Sequence, residues 1–202
     1  GAGIRTQFVN GAEIADSKNL SKTYRINIIN NMIVNNVAAY SGGGVSIADT
    51  INAQLVNNTI AHNDSTATVG SLITVNGGIN ASLPQPAGVV TQVHSPALTA
   101  VLATKGNKWD QDKLFSNPQI RNNIVWKNRS FSYLADGNGA GLQPVVSAAT
   151  CDGNYNDLAV LNGGYTLSRV ETNMTSATTG ANPAFLSGYC NGSRTDGTGM
   201  MS

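Results

Sequence analysis

The stretch Gly42-Gly43-Gly44-Val45-Ser46-Ile47-Ala48-Asp49-Thr50-Ile51-Asn52-Ala53-Gln54-Leu55-Val56-Asn57-Asn58-Thr59-Ile60-Ala61-His62-Asn63 decides the fold. Val45-Ser46-Ile47 alternates apolar and polar residues, as a half-buried strand does. Asp49-Thr50 supplies a turn, and Ala53-Gln54-Leu55-Val56 reads as a second strand. Asn57-Asn58 makes a corner, and Thr59-Ile60-Ala61 makes a third short strand. Nothing in it sustains a helical period with caps.

The second half of this stretch occurs three times. Ile28-Ile29-Asn30-Asn31-Met32-Ile33-Val34-Asn35-Asn36 and Ile120-Arg121-Asn122-Asn123-Ile124-Val125-Trp126-Lys127-Asn128 share its frame: apolar residues, an Asn pair, more apolar residues, a closing Asn. Asn tolerates the left-handed backbone of a tight corner. Stacked on the Asn of a neighbouring unit, its amide can donate on one side and accept on the other. Asn30, Asn31, Asn57, Asn58, Asn122 and Asn123 are therefore expected to form a structural ladder.

The glycine-rich opening recurs too, as Gly1-Ala2-Gly3-Ile4, Pro86-Ala87-Gly88-Val89 and Gly139-Ala140-Gly141-Leu142. Gly44 lies 13 residues before Asn57, and Gly141 lies 13 before Asn154. The larger distances in the other two units imply insertions near residues 10–22 and 95–117. Glycine suits places where chain segments stack closely. A phosphate loop does not fit Gly42-Gly43-Gly44, since no GK[ST] follows and no long helix begins there.

Short strands, tight corners and a repeat of about 25 residues predict an all-β chain, a right-handed parallel β-helix (solenoid) of about four coils with loop insertions and a C-terminal cap. The domain is expected over residues 1–190, with a polar tail over 191–202. The runs GGGVSIADTINAQLVNNTIAHN and PQIRNNIVWKN resemble the pectate-lyase-like β-helix repeat proteins that bacteria secrete or display at the cell surface. Ala181-Asn182-Pro183-Ala184-Phe185 resembles a segment that often closes such domains. The resemblance implies a secreted or cell-surface location. It leaves the chemistry open, because the superfamily holds lyases, hydrolases, adhesins and stalks.

Composition narrows the partners. Only 11% of the residues are charged, against roughly 25% in an average soluble protein, and 25 Asn with 22 Gly take their place. The net charge is +1 without any basic run, which argues against nucleic acid. No apolar run is long enough to span a membrane. Seven N-x-S/T sequons, at Asn19, Asn57, Asn63, Asn80, Asn128, Asn173 and Asn191, are weak signals in so Asn-rich a chain.

Candidate chemistry is sparse. Cys151 and Cys190 are too far apart for a CxxC site and read as a disulfide or as two unrelated buried thiols. The charged run around Trp109 could bind a glycan, with the indole stacking on a sugar and Lys105, Lys108 and Lys113 reaching its hydroxyls. A solvated loop pinned by Trp109 and Phe115 is the simpler reading. Hydrolases of the resembled family use clustered Asp pairs, for which Asp110 and Asp112 are the closest match here. Its lyases use Ca²⁺ with a basic residue. Asp152, Asn154, Asn156 and Asp157 resemble a calcium loop but lack the Gly and bidentate Glu of an EF-hand, so an Asx-type turn is the better expectation and no cofactor is required. His62 and His94 read as surface or ladder residues, and Trp126, Phe131 and Tyr133 as packing. The function expected is a non-catalytic extracellular structural or assembly module with polysaccharide binding as an addition; the alternative is a polysaccharide-degrading lyase or glycoside hydrolase. Gly1 to Ile4 already match the middle of a unit. The N-terminal edge is therefore expected to meet upstream coils of the same polypeptide or another protein chain.

Overall fold

The computed structural model describes residues 2–106, 113–144 and 157–174. The first unit contains β1 (Ile4–Thr6), β2 (Ile26–Ile29), β3 (Met32–Val34) and β4 (Val37–Ala38). The second contains β5 (Val45–Ile47), β6 (Ala53–Val56), β7 (Thr59–Ala61) and β8 (Asp64–Ser65). An antiparallel hairpin, β9 (Ile73–Asn76) and β10 (Ile79–Ser82), follows. The third unit runs through β11 (Val89–Gln92), the helix α1 (Pro96–Leu102), β12 (Gln119–Arg121), β13 (Ile124–Trp126) and β14 (Arg129–Asp136). After β15 (Gly139–Pro144) come β16 (Leu158–Leu161), β17 (Arg169–Val170) and β18 (Asn173–Met174).

Equivalent strands of successive units pair in parallel. The sheets run β1-β5-β11-β16, β2-β6-β12-β17 and β3-β7-β13-β18, while β4-β8-β14 continues into antiparallel β10, β9 and β15. Ile28, Leu55 and Ile120 share one register position, and Ile33, Ile60 and Val125 another. Alternation sets the inward face: in β6, Ala53 and Leu55 are buried and Gln54 and Val56 only half-buried. The inward residues of three sheets, among them Val45, Leu55, Ile60, Val89, Ile120 and Val125, meet in one core.

The expectation of an all-β parallel β-helix with about four coils is corrected by this topology. The short strands lie in separate parallel sheets with a mixed one beside them, and they form neither a continuous solenoid nor a closed barrel. Two features account for the difference. Most strands have only two to four residues, and the segments between them vary from two-residue Asn corners to the long insertions after β1 and β11. The fourth parallel ladder, moreover, is diverted into an antiparallel set by the long strand β14. The chain is also not purely β: α1 is accompanied by 3-10 segments at Ala12–Asp16, Leu20–Lys22 and Gly70–Leu72. Gly139-Ala140-Gly141-Leu142 does not open a further unit but lies in β15, paired antiparallel with β14. Leu158 takes the place expected of Leu142, in register with Val89. The expected cap and tail fall outside the described residues.

Both anticipated insertions contain helical turns, and they pack on each other. Ser95 caps α1 by accepting the Leu98 N–H at 3.3 Å, and Pro96 opens the first turn, where its missing N–H is not needed. Leu98 and Leu102 of α1 bury against Ile14 and Ile51 in a second, smaller core.

Candidate functional site

The Asn pairs divide their work. The first members, Asn30, Asn57 and Asn122, adopt φ of 58°, 56° and 53°, and Glu171 holds the same corner at 48°. The second members stack. The backbone N and Nδ2 of Asn31 both donate to Asn58 Oδ1, at 3.0 and 3.2 Å. Asn58 repeats this onto Asn123 Oδ1 at 2.9 and 3.0 Å, and the Asn123 N–H donates to Thr172 Oγ1 at 3.4 Å. Each amide also reaches one unit further back: Asn58 Nδ2 donates to Ile28 O and Asn123 Nδ2 to Leu55 O, both at 2.8 Å. Burial without such partners would strand several backbone groups.

A second ladder, unassigned from the sequence, runs through the closing Asn residues. Asn36 donates twice to Asn63 Oδ1, Asn63 twice to Asn128 Oδ1, and Asn128 twice to Asp157 Oδ1. Asn63 and Asn128 have no exposed surface, so two of the sequons are spent in the interior. Asp157, considered above as a calcium ligand, takes the register place of Gly44 and Gly88, just before the β-strand. There its carboxylate accepts both bonds from Asn128. The repeat of a closing Asn was the available signal; the switch from Gly to Asp in the fourth unit was the part that spacing concealed.

Other ionisable side chains are also tied into the fold. Arg129, 2% exposed, donates from Nε and Nη2 to the two carboxylate oxygens of Asp64 at 2.9 and 2.8 Å, and its guanidinium lies 5.1 Å from the Phe131 ring centroid. Asp49, in a left-handed conformation, accepts the Ser95 N–H at 2.8 Å and faces His94 Nδ1 at 3.6 Å. Lys105, expected to reach a sugar, donates to Ala15 O and Ser17 O at 2.7 and 3.0 Å and clamps one insertion to the other. Lys113 is half-buried. Trp126 and Phe131 are buried, and Tyr133 is half-buried. Lys108, Trp109, Asp110, Asp112, Cys151, Asp152, Asn154, Asn156 and Cys190 lie outside the described residues. Among the described residues, no three His, Cys, Asp or Glu side chains gather as a metal set, and no helix is long and apolar enough to cross a membrane.

Two surfaces stand out among the described residues. One is the open edge of the first unit, where Phe8, Tyr24, Ile29, Met32, Val37 and Tyr40 are exposed, Met32 by 77%. Asn31 is exposed there as well; its Oδ1 accepts none of the ladder bonds, whereas Asn58 Oδ1 and Asn123 Oδ1 each take two. The other is a cleft of about 450 Å³ on the outer face of β1 and β5, lined by Arg5, Tyr40, Ser41, Ser46, Val69 and Gln92 together with small alanines. Compared with protein-family models, with curated proteins and with solved structures, the chain matches none of them.

Proposed function

We propose that the chain is a non-catalytic structural and assembly module of a larger extracellular or cell-surface protein, joined to its neighbour through the edge of its first unit. The neighbour is a strand-bearing segment of the same polypeptide or of another chain. The observation that carries this reading is the polarity of the first Asn ladder. Every interior rung receives two N–H donors from the unit before it, and the ladder leaves Asn31 as an acceptor at an exposed edge. Four short parallel strands border that edge, with apolar side chains around them. Unpaired strand edges of this kind template further pairing. The enzymatic alternative gains no support from the described ionisable pairs, which serve packing and ladder bonding. The location outside the cell follows the family resemblance.

The test is hydrogen exchange of β1 to β4 in the isolated chain and in the native assembly recovered from its source. Fast exchange in the first and strong protection in the second is expected. Met32→Lys with Val37→Lys should block recovery of the assembly while leaving the fold intact, because both side chains are exposed. A native protein that is a monodisperse monomer with β1 to β4 exchanging freely would overturn the reading.

A further inference from the structure

The cleft on the outer face of β1 and β5 has the make-up of a small-molecule site. Strand alternation explains its floor. Ile4, Val45, Ile47 and Val89 pack on or in the main core, so their neighbours Arg5 and Ser46 face outward, and Gln92 follows the same phase in β11. Arg5 and Ser46 are register partners in adjacent strands. Above them stand Tyr40 and Val69, and Ser41 lies beside the alanines.

The strongest sign is Ser41. It is 5% exposed, it lines the cleft, and its Oγ has no hydrogen-bond partner. Buried hydroxyls are normally satisfied, and this one lines an open cleft where a polar guest can reach it. Arg5 supplies charge. Its guanidinium has five N–H donors, and one bond, from Nη2 to Gln7 Oε1 at 2.8 Å, is made within the chain. The lining therefore combines a single cation, neutral hydroxyl and amide groups, and an apolar wall. A phosphate dianion calls for more positive charge or a nest of backbone N–H groups. A monocarboxylate matches one guanidinium with two parallel hydrogen bonds.

We propose that this cleft binds a small organic monocarboxylate. Arg5 holds the carboxylate, Ser41, Ser46 and Gln92 bond one or two further polar groups, and the Tyr40 and Val69 wall covers the carbon skeleton. The volume suits a single small molecule.

The test is a titration of the whole chain, followed by the backbone amide signals of Ser41, Ser46 and Gln92. The probes are glucuronate, N-acetylglycine, glucose and inorganic phosphate. Saturable shifts with a Kd of about 1 mM or below are expected for at least one carboxylate. Glucuronate alone would identify a hydroxy acid, N-acetylglycine alone an acylated amino acid, and both the carboxylate itself. Arg5→Gln, an exposed change with no packing role, should weaken binding about tenfold or more, and Ser41→Ala by a smaller factor. Absence of saturation with both carboxylates, equal binding of glucose, or unaltered affinity in Arg5→Gln would each overturn the proposal.

Discussion

At the residue scale, the same amino acid carries very different weight according to its rung. Asn58 is 2% exposed and makes bonds to the units on both sides, whereas Asn31 is exposed. Asn58→Ala strands the buried Ile28 O, removes the amide bond to Asn123 Oδ1 and takes the acceptor from the Asn31 N–H, and an orphaned buried group costs about 1–3 kcal/mol. Denaturant unfolding should therefore show a loss of about 2–4 kcal/mol for Asn58→Ala and under about 1 kcal/mol for Asn31→Ala. Equal losses would mean that the ladder does not hold the units together. The corner residues behave differently, because there the backbone decides. Glu171 is exposed and left-handed at φ 48°, a conformation that costs a side-chain-bearing residue about 1–2 kcal/mol. Glu171→Gly should raise stability by about 0.5–1 kcal/mol, the strain relieved being offset in part by glycine's greater freedom when unfolded. A fall in the unfolding midpoint would show that the carboxylate has a role that the corner geometry does not reveal.

At the element scale, glycine and helix set the limits of what can be changed. A Cβ on Gly88 would collide with the backbone carbonyl of Asp157, and one on Gly43 with that of Asp64; in both cases the obstacle is backbone and cannot swing away. The α1 helix is tied on more lightly, through Leu98, Leu102 and the Lys105 clamp. Leu102→Ala opens a cavity in the small core, at a cost of about 2–5 kcal/mol if the element unfolds with the whole chain. Because that core is separate from the main one, the predicted readout is local: amides of 12–22 and 96–105 should lose exchange protection while β6, β7, β12 and β13 keep theirs. Loss of protection throughout would show that the two cores unfold as one. This division also explains what could be read in advance. The Asn pairs and the Gly-apolar openings of the first three units repeat because stacked backbones impose the same contacts each time. The helix could not be seen as a repeat, since it occurs once, although Ser95-Pro96 is a start signal that the surrounding strand pattern overshadowed. Gly141 kept the right spacing for the wrong reason: a hairpin strand also favours small residues, and only pairing with β14 distinguishes the two uses. For the cleft the sequence held no usable signal, because its polar lining is gathered from four separate segments.

At the scale of the whole molecule, the separations between paired strands order the events of folding. Ile28 and Leu55 pair across 27 residues, while Leu55 and Ile120 pair across 65. With loop-closure entropy rising as (3/2)RT ln n, the longer closure costs about 0.8 kcal/mol more before any contact rewards it. The first two units also complete the Asn31–Asn58 and Asn36–Asn63 rungs without help from the third. Residues 26–61 are therefore predicted to form the folding nucleus, with the third and fourth units adding to it afterwards. Ile33→Val and Ile60→Val sit inside that nucleus, Val125→Ala and Met174→Ala outside it, and all four positions belong to the main core. An Ile→Val change costs about 1 kcal/mol, which at a nucleus position slows folding roughly fivefold with little change in unfolding. Stopped-flow folding and unfolding limbs should show that pattern for the two isoleucines. For Val125→Ala and Met174→Ala the loss should appear mainly as faster unfolding. If Val125→Ala slowed folding as much as Ile60→Val, the third unit would be part of the transition state. The nucleus would then be set by hydrophobic contacts across the larger loop rather than by the nearest pair of rungs.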